Sequence, residues 1–302
     1  MRELRANELL DFDVPTKVQS LTPFDTALYA LSVGFAQEPS DDAERAFVDP
    51  TVDMPVTPSM ALVLGYPGFW LGLPETGVDA ARVIHAEQHV ELFAPLPSHG
   101  QIIGETHVTS LESRGEGRGL AMTSVRDISV VDGDLVARVT QTHFLLGNSA
   151  VAPEQPRRDK QAPLPRDPDH IVELTTRPEQ ALLYRLNGDL NPLHSDPRIA
   201  AKAGFDKPIL HGMCTFGVAN RAVLKAVLNY EAPRLARIGM QFRAPVFPGD
   251  TLVTEIWNEG LFRVVAQNRK TVVADSGRFE CRSAKPRDNN GNAGEERAWI
   301  SD

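Results

Sequence analysis

The sequence contains few cysteines, no long apolar run and no excess of positive charge. Its 302 residues include two cysteines, too few for a disulfide framework, which favours a reducing compartment such as the cytoplasm. No run approaches the roughly 18 to 20 apolar residues that a membrane-spanning helix needs. Acidic residues outnumber basic ones by 40 to 31, for a net charge of −9, which disfavours binding to nucleic acid or to anionic membranes. These absences predict a cytoplasmic globular protein with neither nucleic acid nor a membrane as partner.

Composition divides the chain into two halves. Five prolines and several charges, without apolar periodicity, lie between residues 150 and 169, as is typical of a linker. A polar stretch rich in Asn, Gly, Glu and Arg begins after residue 283 and is typical of a terminal tail. We therefore predict a first domain over 1–150, a linker over 151–169, a second domain over 170–283 and a tail over 284–302.

The two halves resemble each other in three places, in the same order. Each match is offset by 150 to 155 residues, a drift that changes in loop length would produce. The matched residues are Tyr29 and Tyr184, Met60 and Met213, and Ala94 and Ala244. Because this repeat is too long for a solenoid unit, each copy is predicted to be a domain of an internally duplicated chain.

Each half also repeats one order of elements. A short amphipathic segment precedes a helix that is predicted to begin near Met60 in the first half and near Met213 in the second. Segments rich in β-branched and aromatic residues follow. The predicted strands are His85–Leu92, Ile102–Leu111, Gly119–Val131, Leu135–Leu146, Gly239–Phe242, Thr251–Trp257, Leu261–Asn268 and Thr271–Cys281. One helix followed by an antiparallel run predicts an α+β fold in which each half wraps a sheet around a central helix.

The densest polar cluster in an apolar neighbourhood runs from Asp189 to His194. Gly188 and Pro192 disfavour continuation of the preceding helix, so this segment is expected to form a loop. Such a loop can place the Asp189 carboxylate, the Asn191 amide and the His194 imidazole around one small cavity. A carboxylate and an imidazole with different proton affinities can share one water molecule, so that one takes a proton from it while the other supplies a proton.

A second polar element, His211-Gly212, directly precedes the second helix. The N–H groups at a helix N-terminus are unsatisfied and the helix dipole there favours negative charge, while a glycine lets a ligand approach closely. This arrangement suits a thioester oxygen that gains negative charge in an enolate-like transition state. An acid–base pair beside such a donor is suited to adding water to an α,β-unsaturated thioester, or to the reverse elimination.

Two strings carry a family resemblance. YRLNGDLNPLHSDP followed by GFDKPILHGMCTFG closely resembles the signature of the MaoC-like, or type 2, (R)-specific enoyl-CoA hydratases. The resemblance extends from about Thr22 to Phe279 without the linker. It implies a double hot-dog fold, in which antiparallel sheets wrap central helices, with a catalytic second half and a degenerate first half that binds acyl-CoA. In agreement with that division, the first half has no Asp-x-Asn-Pro-x-His string after Tyr29-Ala30-Leu31.

The resemblance assigns the chemistry to four residues of the second half. Asp189 and His194 would be the catalytic pair that holds the water, and Asn191 would support their geometry. The amide of Gly212 would bind the thioester carbonyl. The first half would hold the substrate without taking part in proton transfer.

Residues of both halves are expected to contact the substrate. By the same resemblance they are His85, Ala86, Arg114, Leu190, Pro192, Leu193 and Phe242. The chain departs from the family pattern in two places. Ala86 stands where the family has glycine, and the region around Arg114 is gapped and rich in glycine.

Together these features predict a hydro-lyase that hydrates trans-2-enoyl-CoA to (R)-3-hydroxyacyl-CoA, or catalyses the reverse dehydration, as a homodimer. Two alternatives remain: a dehydratase of carrier-protein thioesters or of branched or dicarboxylic acyl-CoA, and a non-catalytic module that binds acyl thioesters. Water addition needs no redox step and the sequence has no glycine-rich phosphate loop, so no cofactor is expected besides the CoA thioester substrate. A zinc site of His194, His211 and Cys214 lacks a fourth ligand at a suitable spacing, so no metal is expected.

Overall fold

A ten-stranded antiparallel sheet dominates the computed structural model, which describes residues 6–148, 152–154, 164 and 167–283. Its strands are β1 Lys17–Leu21, β2 Val83–Leu92, β3 Gly100–Ser113, β4 Leu120–Val130, β5 Leu135–Leu145, β6 His170–Thr175, β7 Leu235–Phe242, β8 Thr251–Trp257, β9 Leu261–Ala266 and β10 Thr271–Cys281. The α-helices are α1 Ala6–Leu10, α2 Pro23–Ser32, α3 Asp42–Arg45, α4 Gln180–Tyr184, α5 Pro197–Lys202 and α6 Gly212–Val227. Short 3-10 helices lie in several of the connections.

The order of strands across the sheet reflects the sequence repeat. The first half contributes β1-β3-β4-β5-β2 and the second half continues with β7-β10-β9-β8-β6, so β2 and β7 form the central pair. They are antiparallel, with Glu87 opposite Gln241. The halves are therefore related by an approximate two-fold axis through this pair. Tyr29 and Tyr184, which the repeat matches, contact each other edge to face with ring centroids 6.0 Å apart.

Helix α6 is the long central helix of the fold. Every residue from Met213 to Leu224 is buried, which requires apolar or small side chains around most of the helix. Gly217 permits one close approach, because a Cβ there would lie 2.4 Å from Cγ1 of Val33, just after α2. The helix packs on β6, β7 and β8 of its own half and on β2 of the first half. It therefore belongs to the core of both halves.

A buried ion pair joins α6 to the first half. The side chains of Glu44 and Arg221 are 1% and 5% exposed, and Nε and Nη2 of Arg221 donate to the two carboxylate oxygens over 2.8 and 2.7 Å. The Tyr230 hydroxyl and the Ala36 N–H donate to the same carboxylate over 2.6 and 3.0 Å. Burial by itself raises the pKa of Glu44, but these donors and the charge of Arg221 lower it overall. The carboxylate is thus held ionised in the interior.

The structure contains the predicted strands. Their side chains alternate between buried and less buried positions, which is the pattern that makes a strand predictable. This alternation is regular in β8 and β9, and the predicted bounds of β8 and β10 agree with those of the structure. Strands β1 and β6, at the two edges of the sheet, are absent from the prediction. Each has at most six residues and is mostly exposed or half-buried, so the apolar alternation that marks a strand is weak there.

The prediction of a helix that begins near Met60 is wrong. The structure has only a five-residue 3-10 helix there, Pro58–Leu62. Gly65 follows with φ of +57°, and a Cβ on it would lie 2.5 Å from Cα of Gly104 on β3. The backbone therefore turns closely against the sheet, and Pro67 further disfavours a helix. The sequence predicts a sheet and a long helix in each half. The structure has instead one continuous sheet that both halves share and one long helix, α6.

The predicted linker and tail lie largely outside the described residues. Of the linker, the structure describes 152–154, 164 and 167–169, and the Ser113 N–H donates to the Pro153 carbonyl over 2.7 Å. The tail predicted over 284–302 lies entirely outside them. In the part of the chain that is described, no helix is both long and apolar enough to cross a lipid bilayer.

Candidate active site

The loop from Asp189 to His194 is shaped by its own short-range hydrogen bonds. Gly188 precedes it with φ of +109°, a left-handed conformation that favours glycine. The Asn191 N–H donates to Oδ1 of Asp189 over 3.2 Å, and Oδ1 of Asn191 accepts from the Leu193 N–H over 3.0 Å. Asn191 therefore orients the Asp189 carboxylate and also caps the 3-10 helix that leads to His194.

His194 is buried, and the backbone sets its tautomer. Its Nδ1 lies 2.9 Å from the carbonyl oxygen of Ile209. Because a carbonyl can only accept, Nδ1 carries the proton and Nε2 keeps its lone pair. Burial lowers the pKa of His194, against the raising effects of the Ile209 hydrogen bond and the Asp189 charge. The imidazole is therefore neutral at pH 7 and can accept a proton at Nε2.

His211 packs against both members of the pair. Its ring centroid lies 3.8 Å from that of His194, and its Nε2 lies 3.3 Å from the carbonyl oxygen of Asp189, to which it donates. Burial, followed by the neighbouring His194, lowers the pKa of His211 to about 3. From the sequence alone, no role in the pair is predicted for His211. The signal in the sequence that could have pointed to His211 is its position directly before Gly212, at the start of α6.

One carboxylate oxygen of Asp189 and one ring nitrogen each of His194 and His211 lie within 4.8 Å of one another. Two hydrogen bonds of about 2.8 Å to one water span at most about 5.6 Å, so a single water molecule can bridge Asp189 and His194. Such a set of donor atoms can also hold a cation. Cys214 is not part of it, because its buried thiol lies 3.4 Å from the Ser32 carbonyl oxygen. The three residues considered and rejected as a zinc site from the sequence are therefore not the three that the structure brings together.

Gly212 begins α6 beside an aromatic side chain. As the first residue of the helix it has an N–H without an acceptor inside the helix. A Cβ at this position would lie 3.3 Å from Cζ of Phe242, the last residue of β7. The Phe242 ring in turn contacts His85 edge-on, with centroids 4.9 Å apart. The amide at the helix start thus lies next to side chains from both halves.

His85 belongs to a stacked pair of imidazoles in the first half. The rings of His85 and His143 are 4.8 Å apart at 25°, because β2 and β5 place the two residues opposite each other. Burial lowers the pKa of His85 to about 4 and that of His143 well below its usual value, so both are neutral at pH 7. Within the described residues, Nε2 of His85 and Nδ1 of His143 are buried without a hydrogen-bond partner. The buried Ala86 is the extra residue of a β-bulge in β2.

Arg114 lies in the turn between β3 and β4. Its Nη1 donates to the Arg118 carbonyl over 2.8 Å, and its guanidinium lies 3.7 Å above the ring of Phe144. Phe144 follows His143 in β5, and successive residues of a strand face opposite sides of the sheet. The structure therefore brings His85, Phe242 and Gly212 together but places Arg114 on the other face.

Three loop residues expected at the substrate differ in exposure. Leu190 is 62% exposed, Pro192 is exposed and Leu193 is half-buried. Covering an exposed apolar side chain with a ligand removes apolar surface from water, which is favourable. Leu190 and Pro192 are thus positioned to gain contacts when a substrate covers the loop.

Two residues of the first half, absent from the sequence prediction, lie near the pair. Burial, followed by the charge of Asp189, raises the pKa of Tyr66. Arg126 on β4, 2% exposed, lies with its guanidinium carbon 5.4 Å from the Tyr66 ring centroid. It donates to the carbonyls of Ala61 and Leu62 over 3.1 and 2.7 Å. Neither residue belongs to a recognisable string, so only their proximity in the fold reveals them.

Family models match both halves of the chain. A model described as the MaoC like domain matches residues 159–278, and one described as the MFE-2 hydratase 2 N-terminal domain matches residues 20–147. The first range includes Asp189, His194 and Gly212, and the second includes His85.

Several curated proteins are similar over most of the chain. Enoyl-CoA hydratase 2, peroxisomal, from Arabidopsis thaliana is 35% identical over 293 residues, which cover 90% of this chain and 94% of that protein. The 3-hydroxyacyl-thioester dehydratase Y of Mycobacterium tuberculosis is 37% identical over 267 residues, covering 86% of this chain and 89% of that protein. The peroxisomal multifunctional enzyme type 2 of Mus musculus is 32% identical, and the match covers 82% of this chain but only 34% of that longer protein.

Solved structures share the architecture. A MaoC-like dehydratase from Phytophthora capsici superposes with a TM-score of 0.79 at 29% identity, covering 92% of this chain and 97% of that one. A Mycobacterium tuberculosis protein described as a double hotdog fold superposes with a TM-score of 0.55 at 16% identity, covering 89% of this chain and 94% of that one. The predicted α+β double hot-dog fold class is thereby confirmed.

Proposed function

Because this chain belongs to the MaoC-like dehydratase family and carries the hydratase 2 N-terminal domain, we propose that it catalyses the (R)-specific hydration of trans-2-enoyl-CoA to (R)-3-hydroxyacyl-CoA, or the reverse dehydration. The observation that carries the proposal is the spacing of Asp189 and His194, whose polar atoms lie within 4.8 Å and can share a water. The names of the similar hydratase and dehydratase support the reaction class. The protein is accordingly a hydro-lyase.

The protonation state of the site sets the order of events in the hydration direction. Neutral His194 takes a proton from the water through Nε2 while the Asp189 carboxylate holds the water in place, and the water oxygen bonds to C3. The electrons of the C2=C3 bond shift towards the thioester, whose oxygen gains negative charge. The Gly212 N–H donates to that oxygen. C2 then takes the proton from His194, so that one water has been added across the double bond.

Substitution of the pair tests this proposal. Asp189→Asn and His194→Ala are each expected to lower kcat by at least about a hundredfold, the low end for lost general acid–base catalysis. Turnover of crotonyl-CoA is followed by a coupled absorbance assay, and chiral analysis gives the configuration of the product. Asp206→Asn, the same change at an exposed position, is the matched control. Near-normal turnover of either variant of the pair would remove the mechanism.

A related activity on other thioesters is the second candidate, supported by the thioester dehydratase among the similar proteins. The acid–base pair would act in the same way on a carrier-protein thioester, or on a branched or dicarboxylic acyl-CoA. A substrate panel that varies chain length, branching and carrier therefore separates the candidates by kcat/KM. A purely binding module would bind this panel without turning any member over.

We further propose a division of labour in which residues 1–150 bind acyl-CoA and residues 170–283 perform the chemistry. The stacked His85 and His143 support it, since each has a buried nitrogen without a hydrogen-bond partner and the His85 ring contacts Phe242, which lies beside the start of α6. The turn that carries Arg114 lies at the same end of the sheet as His85, and the CoA phosphates are proposed to pass around this end and contact Arg114. Substitution of Arg114 by Gln should raise KM without lowering kcat, and an unchanged KM would exclude it from the CoA site.

The reaction as proposed moves protons and one water molecule, so no metal or redox cofactor is assigned to it, and activity should survive dialysis against a chelator. Two free cysteines, Cys214 and Cys281, fit a reducing cytoplasm, although some similar proteins are named peroxisomal.

We propose a homodimer, for which the exposed apolar side chains Val18 and Ile171 on the two edge strands are available. Light scattering at a monomer mass would reject the dimer.

A further inference from the structure

A second cavity lies away from the candidate active site. Its volume is about 310 Å³, within the range of small-molecule sites. The apolar part of its wall is formed by Met54, Val56, Leu92, Ala94, Leu96 and Ala232. Along β2, His85 at the active site and Leu92 at the cavity are separated by seven residues, or roughly 23 Å. The cavity is therefore distinct from the site that holds the acid–base pair.

The approximate two-fold axis that relates the two halves maps the candidate active site onto the position of this cavity. The active site lies at the start of α6 and the end of β7, and the cavity lies at the matching start of the 3-10 helix Pro58–Leu62 and the end of β2. The cavity is lined by Ala94-Pro95, which the sequence repeat matches to Ala244-Pro245, shortly after β7. The residues just before β7 close the cavity, as the start of β2 closes the active site. The cavity is thus the duplicated counterpart of the substrate pocket.

The segment of the first half that corresponds to the loop Asp189–His194 has no acid–base side chains at the matching positions. At the offset of the matched tyrosines, Asp189 and Asn191 correspond to Gly34 and Ala36, and His194 corresponds to Pro39. None of these three residues offers a side chain that can take or supply a proton. A ligand in the cavity would therefore be bound but not converted.

Arg282 supplies a positive charge at the wall of the cavity. Its guanidinium donates to the carbonyl oxygens of Pro233, Leu235 and Leu92, over 2.8 and 3.2 Å to the first two. These acceptors are neutral, and within the described residues no carboxylate pairs with this guanidinium. The exposed Asp53 also lines the cavity, and because it is in contact with water, the high dielectric constant weakens its electrostatic effect on a bound anion. An apolar wall beside a half-buried cation suits an amphiphilic anion.

We propose that this cavity is a second, non-catalytic binding site for an acyl chain that carries an anionic head group. The chain would occupy the apolar wall between Val56 and Leu96, and the head group would lie beside Arg282. Either a fatty-acid carboxylate or an acyl-CoA has this chemistry. The site would give the protein a way to sense acyl chains without turning them over.

Calorimetry with decanoyl-CoA tests the proposal, because a saturated thioester cannot be hydrated. The full chain is expected to bind two equivalents, and Ala94→Phe, whose ring would obstruct the cavity, should bind one. Ala94→Ser is the matched control and should keep both. Arg282→Gln should weaken the second site at least about tenfold, the effect of losing a charge-assisted hydrogen bond. Titration with decanoate identifies the head group: filling of the cavity by decanoate assigns it to a carboxylate, and binding of decanoyl-CoA alone assigns it to the thioester.

One result would overturn the second site, namely that Ala94→Phe binds as many equivalents of decanoyl-CoA and of decanoate as the full wild-type chain does. Each variant is first checked for folding by its crotonyl-CoA turnover and its thermal unfolding. Since saturated ligands are counted without turnover, a failure of the proposed hydratase activity would leave this count readable, and the two proposals can fail separately.

Discussion

Substitution of His211 separates a positioning role from a part in proton transfer. Its Nε2 donates to the Asp189 carbonyl over 3.3 Å, and its ring lies 3.8 Å from that of His194. His211 thus holds the backbone of one member of the pair and packs on the ring of the other. His211→Phe keeps an aromatic ring in contact with His194 but removes the donor to the loop.

The expected size of the effect follows from that one hydrogen bond. A neutral hydrogen bond contributes about 1 kcal/mol net, and 1.36 kcal/mol is a tenfold change in rate, so its direct loss corresponds to about fivefold. A displacement of the Asp189 carboxylate by about 1 Å can cost about a hundredfold. We therefore expect kcat of His211→Phe to fall between about fivefold and a hundredfold. KM should change little, because His211 donates to the protein backbone.

The assay is steady-state hydration of crotonyl-CoA by wild type, His211→Phe and His211→Gln. The glutamine amide can restore the donor to Asp189, so His211→Gln is expected to recover most of the lost kcat. Two outcomes would refute the reasoning. A kcat of His211→Phe within twofold of wild type would mean that the contact positions nothing, and a loss of a thousandfold or more would make His211 itself a proton-transfer residue.

Three further predictions concern the surroundings of the pair. Gly212→Ala should lower kcat/KM about tenfold, less than the hundredfold typical of a missing oxyanion donor, because its Cβ would press on Phe242 at 3.3 Å; unchanged kinetics would argue against a ligand at this amide. Glu44→Gln should lower the free energy of unfolding in urea by about 3 kcal/mol or more, since it leaves Arg221 buried and unpaired, whereas Glu44→Leu combined with Arg221→Met should cost less. The pKa of His85 is lowered to about 4 in the folded protein, whereas it is about 6.5 in the unfolded chain. As the pH falls, the unfolded chain therefore binds the proton first, and the free energy of unfolding should decrease between about pH 6.5 and 4. His85→Gln should lessen this decrease, which urea unfolding at pH 7 and pH 5 would measure.

The strands and the loop from Asp189 to His194 were predictable because their sequence signals are local. The alternation in Thr251–Trp257 gives a strand whose bounds the structure reproduces. Gly188 and Pro192 end the preceding helix by their own backbone restrictions, which leaves Asp189 and His194 in one short loop. In each case, residues within a few positions of one another decide the conformation.

The prediction of a helix at Met60 failed because the deciding contact is not local. The close approach of Gly65 to Gly104 joins residues far apart in the chain, and nothing in the segment itself reveals it. The same holds for His143, which stacks on His85 across a strand pair. Repeat symmetry, which favoured a second long helix, was misleading there.

The sequence by itself predicted the internal repeat, the order of most strands along the chain and the loop from Asp189 to His194, since each depends on residues that are neighbours or that recur at an offset of 150 to 155 residues. The tertiary structure decided that the two halves share one sheet and one long helix, that His211 contacts both Asp189 and His194, and that a cavity remains at the opposite end of β2. These features depend on burial and on contacts between distant segments. Such contacts form only when the folded chain has excluded water from between them.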